Sequence, residues 1–469
     1  MSKAFVFCIG GTGLRVMKSA VMLMAAGMKT NGYEVVPIVI DPHEQLDEKK
    51  NLDLLINDYK DVYDKVVGNT KHSKESLNAL EGFFCTQIKR YYEFDGLQND
   101  TSASLADNRT LRDFLEVGRI PANDINRFLV QTILSEANLN NSLSVGFKGN
   151  PNVGTIVLGN LIEGQDWWDA FKSKYETGDR VFIISSIFGG TGASGFPLLL
   201  NMIKNCEGHP MVQDAFIGAV TVFPYFSLED PTKSKSDIDS ANFMTKTKAA
   251  LAYYEQNVNP DYLYYVGDSS QKASYDNNES EQKDYAHFIE MVAATALFDF
   301  LNNRTRQSRP QYLTRAIEDD IEVLDLKSLG KGYTEEVRLI ANMKLLDLLI
   351  EVLKNERYFP LRKTHGLDSN FYNGDFKSLD KFMNKFNSWY DEISGNKRGF
   401  SPLSLPKTTS DDLTQFIKET TLNAKRDHEY LLDMILASKI KGSNNHHILL
   451  RYFLDFAYQA INKQTSNIK

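Results

Sequence analysis

Short apolar runs of β-prone residues alternate with longer stretches of helical periodicity through the first two thirds of the chain, which predicts a parallel α/β sheet. Ala4 to Ile9 is apolar at consecutive positions, as a strand buried on both faces should be. Gly10 to Gly13 reads as a turn, and Leu14 to Met28 as a helix of little polarity. Val35 to Ile40 predicts a second strand, with Asp41 at its carboxyl end. Val181–Ile187, Phe216–Phe223 and Tyr262–Val266 predict three more strands. Helices are predicted over Trp167–Tyr175, from Phe196 to Ile203, over Phe243–Gln256 and over His287–Asn303.

Three regions break this rhythm. Residues 45 to about 140 are polar and helix-rich. Residues 269–284, dominated by Ser, Asn, Glu, Lys and Asp, predict an exposed loop. After about residue 335 the strand pattern stops, and amphipathic helices such as Glu335–Leu353 and Asp411–Ile435 take over. The expected organisation is an α/β domain over 1–330, with a helical insertion at about 45–140, followed by a predominantly helical domain over 331–469.

At 469 residues, 42% hydrophobic and 24% charged, the chain can bury the cores of two domains. Its net charge of −8 is spread along the sequence, which argues against direct nucleic-acid binding and against an anionic membrane surface. Three cysteines without metal-like spacing fit a reducing cytoplasm. The first apolar run ends in glycines and continues into a helix, unlike a secretion signal. No apolar run reaches the roughly 18 residues of a membrane span.

The chemistry concentrates in two glycine runs. Gly189-Gly-Thr-Gly-Ala-Ser-Gly195 follows a strand and precedes an apolar helix start. Such a run lets backbone N–H groups converge on one anion, and the helix N-terminus adds partial positive charge. Ile9-Gly-Gly-Thr-Gly13 repeats the pattern at the first strand. In open α/β sheets ligands sit beyond the carboxyl ends of the strands, so Gly13 and Asp41 are expected to face one crevice. Two such runs far apart in the chain predict a polyphosphate held from two sides.

The segment Asp179 to Pro197 resembles the signature loop of the tubulin/FtsZ superfamily, GGGTG(S/T)G. Gly189, Gly190, Thr191 and Gly192 fall on its core. Phe188 stands at its first glycine, and Ala193 at its hydroxyl residue with Ser194 beside it. Gly10, Gly11, Thr12 and Gly13 resemble the family's first glycine loop, and Ile40 to Leu46 the loop after its second strand. Gly149 and Asn150, in Gly149-Asn-Pro-Asn-Val-Gly154, resemble the loop that closes over the γ-phosphate. Val220 to Phe226 resembles the strand and loop at the ribose, and the helix from His287 is similar to the central helix that separates the family's domains. Its usual asparagine is missing, and Asn242 is a candidate substitute. Asp320-Ile-Glu322-Val-Leu-Asp325 has the spacing of the synergy loop, N-x-D-x-x-D.

The resemblance covers about residues 3 to 330 and implies a divergent, cytoplasmic, bacterial tubulin/FtsZ-like GTPase fold. It implies GTP or GDP with Mg²⁺, phosphates held by the two glycine runs with a Thr191 hydroxyl contact, and Asp41 at the metal. It places Tyr225, Asn242 and His287 at ribose or base. It implies that Glu322 and Asp325 polarise the attacking water in trans, in a head-to-tail filament of the chain with itself. The helical C-terminal domain, unlike the α/β second domain of FtsZ and tubulin, implies a protein partner.

Other readings weigh against individual parts. A non-polymerising nucleotide switch or scaffold fits the same residues. Tyr225, Asn242 and His287 are residue types that more often pack or face solvent. Cys8 fits a small core hydrophobe, and Trp167 and Trp168 fit anchors for a helix. A dinucleotide-binding oxidoreductase fits poorly, because Val16 stands where the third glycine of G-x-G-x-x-G belongs. No G-x-x-x-x-G-K-[ST] motif is present.

Overall fold

The computed structural model describes residues 1–42, 47–67, 82–90, 110–143, 147, 150–228, 242–268, 273–275, 286–317, 323–324, 333–354, 369–396, 399–403 and 446–465. At its centre lies a six-stranded sheet of β1 (Lys3–Ile9), β2 (Glu34–Ile40), β3 (Arg180–Ser186), β4 (Phe216–Val222), β5 (Tyr262–Asp268) and β6 (Gln311–Ile317). The spatial order is β2-β1-β3-β4-β5-β6, and every pair is parallel. The predicted α/β class and parallel sheet are therefore present.

Each strand's residues explain its place. Ala4, Val6 and Cys8 feed one hydrophobic layer while Phe5, Phe7 and Ile9 feed the other, so β1 is apolar throughout. Proline is tolerated at Pro37 because β2 lies at the sheet margin. Residues Gln87 to Lys89 add one parallel bridge to β2 at Val35, two residues before that proline. No strand was expected at β6. Its residues alternate between half-buried and exposed, so it lacks the continuous apolar run that marks the others.

Helices cover both faces. On one side lie α1 (Gly10–Ala25), α2 (Asp47–Val67), α8 (Phe288–Asn303), α9 (Thr334–Lys354), α10 (Asp375–Gly395) and α11 (His446–Thr465). On the other lie α4 (Pro151–Ile162), α5 (Asp166–Lys174) and α6 (Gly190–Lys204), with Tyr254 of α7 (Phe243–Asn257). The small helix α3 (Ile125–Ile133) sits outside this layer on the Val130 side chain. Trp167 and Trp168 do anchor α5, packing with Phe7 and Phe171. The expected helix Asp411–Ile435 lies outside the described residues. Within the expected loop at 269–284, residues 273–275 form a short parallel pairing with Phe226–Leu228.

The C-terminal helices share a core with the sheet face. Their apolar residues join one continuous cluster with α1, α2 and α8. Charge fixes the register of α10 on α2, where Asp58 accepts from Lys381 at 2.7 Å and forms an ion pair with Lys385 at 2.7 Å. On α1, the Trp389 indole N–H donates to Ser19 Oγ at 3.2 Å, and Lys18 pairs with Glu392 at 3.3 Å. We expect Trp389→Ala to cost about 3–5 kcal/mol, since it leaves a cavity between α10 and α1. Urea unfolding followed by both fluorescence and far-ultraviolet dichroism should give one shifted transition. Two separated transitions would mean that the C-terminal helices unfold independently of the sheet.

Candidate functional site

Because all six strands are parallel, their carboxyl ends lie together. The order reverses between β1 and β3, whose carboxyl ends flank the switch point at which such sheets open a crevice. The glycine runs follow these two strands. Neither is a free loop: each forms the first turn of a helix, α1 from Gly10 and α6 from Gly190. This corrects the expectation of a loop followed by a helix at Leu14 or Phe196. Tertiary contact overrides glycine's weak helix preference here.

The contacts show why glycine is needed. A Cβ on Gly13 would lie 2.8 Å from the carbonyl carbon of Cys8 and 3.0 Å from the oxygen of Ile184. One on Gly192 would lie 2.7 Å from both N and O of Ser186, and one on Gly195 would lie 2.8 Å from Ile9 Cγ2. Main chain meets main chain at the first two, so the starts of α1 and α6 are seated directly on β1 and β3. Gly10 has a φ of +72°, in the left-handed region, and faces Thr191 across the crevice. A Cβ there would lie 3.4 Å from Thr191 Cβ, so the two turns touch.

A third helix start joins them. Asn150 precedes α4, with Pro151 opening the helix. Gly154, in the first turn of α4, packs against Ser194 and the Gly190 carbonyl. Thus the amino ends of α1, α4 and α6 come together. None has a side-chain cap, and none carries an acidic residue in its first turn. Side-chain caps do occur elsewhere, with Asp124 capping α3 and His287 with Glu290 forming a capping box on α8, whereas α5, α7 and α10 also lack one. The uncapped ends leave N–H donors and aligned dipoles for an anion.

The expected residues divide into several groups. Gly10, Gly11, Thr12, Gly13, Gly189, Gly190, Thr191 and Gly192 all belong to the two touching turns. Asp41 follows β2, whose Ile40 is level with Ile9, so the carboxylate residue is level with Gly10. It is buried and engaged with neighbours. Asn150 is half-buried at the start of α4. Gly149, Glu322 and Asp325 lie outside the described residues.

The remaining expected residues differ in exposure and in the partners of their side chains. Ser194 was to supply the missing hydroxyl beside Ala193. Its hydroxyl instead donates to the Gly190 carbonyl at 2.7 Å and lies against Gly154, as a serine inside a helix commonly bonds backward. Ala193 is buried. Tyr225 and His287 have no exposed surface to offer a base or ribose. Asn242 is exposed at the start of α7. Phe188, at the family's first glycine position, packs 4.9 Å from Phe243 and 5.6 Å from Phe226, pinning the turn before Gly189.

Tyr225 and His287 serve a network that was not anticipated. Arg15 Nε donates to Glu290 Oε1 at 2.8 Å, and Arg15 Nη2 donates to the Tyr225 hydroxyl at 3.2 Å. Tyr225 in turn donates to Glu290 Oε1 at 2.6 Å, and the His287 N–H donates to Oε2 at 3.1 Å. Glu48, in the first turn of α2, lies 3.6 Å from Arg15 Nη1. That same nitrogen is 3.5 Å from where a Cβ on Gly11 would stand, so the guanidinium underlies the first turn of α1. The sequence did carry a signal: Arg15 and Glu290 are isolated charges in otherwise apolar helix starts. Buried charges of this kind are paired.

Two cavities open at the opposite, amino end of the sheet, of about 500 and 320 Å³. The larger contains Arg180 and Arg306, but both are engaged structurally. Arg180 donates to the Phe300 and Leu301 carbonyls at the end of α8, and Arg306 pairs with Asp214 at 2.7 Å. The crevice end has the stronger chemical case. Among the described residues no cluster of three His, Cys, Asp or Glu side chains is arranged to hold a metal. No helix among them is long and apolar enough to cross a membrane. No protein-family model matches the chain, and no curated protein matches it.

Gly192→Ala should destabilise the fold by about 1–3 kcal/mol, as main chain must move to admit the methyl group. Gly159→Ala, where nothing lies within 4 Å of the new Cβ on α4, should instead stabilise by about 0.5–1 kcal/mol. Chemical denaturation of both variants checks the contrast. Glu290→Ala leaves Arg15 buried beside fewer acceptors and should cost about 3–5 kcal/mol in the same assay.

Proposed function

We propose that this chain binds a nucleoside triphosphate, GTP with Mg²⁺, at the carboxyl ends of β1 and β3, and acts as a divergent tubulin/FtsZ-like nucleotide switch with GTPase activity. One observation carries the reading: three uncapped helix amino ends meet where two glycine-only contacts seat the chain against the sheet. Gly10 to Gly13 and Gly189 to Gly192 would hold phosphates through backbone N–H groups, and Thr191 would add a hydroxyl. Asp41, level with Gly10, would reach the metal or its waters. Mg²⁺ in such sites takes one or two carboxylates and otherwise phosphate and water, so a full protein ligand cluster is not needed. Bound Mg²⁺ would neutralise charge developing on the phosphates.

The order of landmarks supports the family assignment, with two departures. First, α8 connects β5 to β6 within one sheet, lying over the sheet face beside α1. It is a crossover helix, not a spacer between domains. Second, β6 runs parallel to β1, so Ile317 delivers the chain to the crevice end of the sheet. A segment that serves the next copy in a head-to-tail stack has to leave from the other end. Turnover within one subunit is therefore the reading we favour over activation in trans.

The contacts of α10 support a switching role. Glu392 Oε2 accepts from both Lys18 of α1 and the Ala286 N–H that leads into α8. The apolar faces of α9, α10 and α11 are covered by the chain's own core. A partner would therefore meet their polar faces, or a rearranged state of α10.

The test is thermal unfolding with GTP, GDP, ATP and Mg²⁺, followed by hydrolysis and sedimentation over a tenfold range of protein concentration. GTP at about 100 times its Kd should add about 2.7 kcal/mol of stability. Gly10→Val, strained at positive φ and crowded against Thr191, should lose at least tenfold in affinity. The rate per molecule should not change with concentration. A rate that climbs, with GTP-dependent pelleting, would restore the trans-activated filament. The absence of stabilisation by any nucleotide would overturn the reading altogether.

A further inference from the structure

Helix α3 displays its apolar side to solvent. Ile125, Phe128, Leu129 and Ile133 are 66, 63, 45 and 68% exposed, and no residue of the helix is buried. Their spacing of three, four and eight residues from Ile125 places them on one stripe. The helix is well fixed in this pose. Asp124 accepts from the Asn126 N–H at 2.7 Å, and Arg127 Nη1 donates to the Ile120 carbonyl at 3.0 Å. Val130 packs inward, and buried Leu134 follows at the end of the helix. The sequence therefore anchors the helix by one polar and apolar edge and turns the larger apolar residues out.

The stripe exposes on the order of 450 Å² at roughly 200 Å² per large side chain, a size at which exposed apolar patches mark interaction sites. It carries no charged residue. The nearby charges Arg112 and Glu136, and Arg119 and Glu116, pair with one another. The stripe itself is uncharged, so it asks for an apolar surface of matching length.

We propose that α3 is a homodimer interface, in which two copies of this chain pair their α3 helices antiparallel about a two-fold axis. The stripe is close to its own mirror in sequence. Leu129 lies midway between Ile125 and Ile133, so a two-fold through Leu129 sets Ile125 of one copy against Ile133 of the other, with Phe128 beside the axis. Each copy offers the same patch, as an isologous contact requires. The two stripes bury about 900 Å² together, and exposed Pro121, Ala122 and Thr132 beside them bring the contact to the roughly 1,000 Å² that a specific interface needs. This pairing closes on itself, so it produces dimers and no filament, and it needs no nucleotide.

Light scattering and sedimentation velocity of the nucleotide-free chain over roughly 1–100 µM cover the affinities expected of so small an interface. We expect the mass of two chains at the upper end. The double variant Phe128→Glu with Ile133→Glu should remain monomeric throughout, with an unchanged dichroism spectrum because both side chains already face water. Leu129→Cys should give a disulfide-linked dimer on mild oxidation, while Tyr253→Cys, equally exposed on α7, should not. Native Cys85 gives little background at neutral pH, since burial pushes its thiol up to about 12. A wild-type chain that stays monomeric overturns the proposal, as does a double variant that still dimerises. Flotation of a monomeric wild-type chain with phosphatidylcholine vesicles, lost in the double variant, would also overturn it and assign the stripe to a lipid surface.

Discussion

Two helices begin in direct main-chain contact with the two central strands, and the architecture of the crevice depends on that closeness. At Gly13 and Gly192 the neighbour is backbone, which cannot rotate away as a side chain can. A single methyl group at either position would lift a helix start off the sheet. The seat places the first N–H groups of α1 and α6 beside one another at the β1–β3 switch point. It also brings Gly10 against Thr191, so the two turns form one surface. Gly154 extends the same logic to α4, where any side chain would strike Ser194 and the Gly190 carbonyl.

The uncapped ends are energetically unfavourable unless water or a ligand takes their donors. The chain has capping residues available, and it uses them on α3 and α8. All three crevice helices lack such a cap, as α5, α7 and α10 also do, but only at the crevice do three uncapped starts meet among the described residues. Arg15 lies beneath the first turn of α1, where water is largely excluded, with its charge paired to Glu290 and Glu48. Burying it requires Glu290, and Glu290 requires further donors from Tyr225 and the start of α8. The ion pair thus joins α1, α8 and the loop after β4 through one carboxylate.

Much of this was legible in the sequence, for physical reasons. Strands β1 to β5 are covered on both faces, which forces continuous apolar runs that stand out from any helical period. β6 has no such cover, so Tyr312 and Thr314 tolerate solvent and the strand signal fades. The glycine runs announced close approach, but not that the approach would be helical, because glycine's intrinsic preference argues the other way. Tyr225 and His287 illustrate the limit of analogy by position. Their places along the chain fitted a ligand contact, whereas their polar atoms serve the carboxylate of Glu290 and the cap of α8. The exposed stripe of α3 was missed because its pattern is that of any amphipathic helix. Which side faces the core is decided by Val130 and Leu134, not by the size of the apolar side chains.

The polarity of the sheet also limits how a ligand could be felt elsewhere. A ligand shifts an equilibrium only through contacts that differ between two states. At the crevice, Glu48 makes the longest of the three Arg15 contacts described here, and its helix α2 carries Asp58 and Lys65 onto α10. Glu290 is fully buried and held from three sides, so it is poorly suited to move. An anion that draws the guanidinium toward the start of α1 would lengthen the Glu48 pair first. The displacement would then pass along α2, and the helix that receives it, α10, is also fastened to α1 by Trp389 and Glu392. Those two attachments meet α10 at different points along its length, near Asp58 and near Ser19. Helix α10 is thus tied to α2 and to α1 at separate points, so its position depends on how those two helices sit against each other.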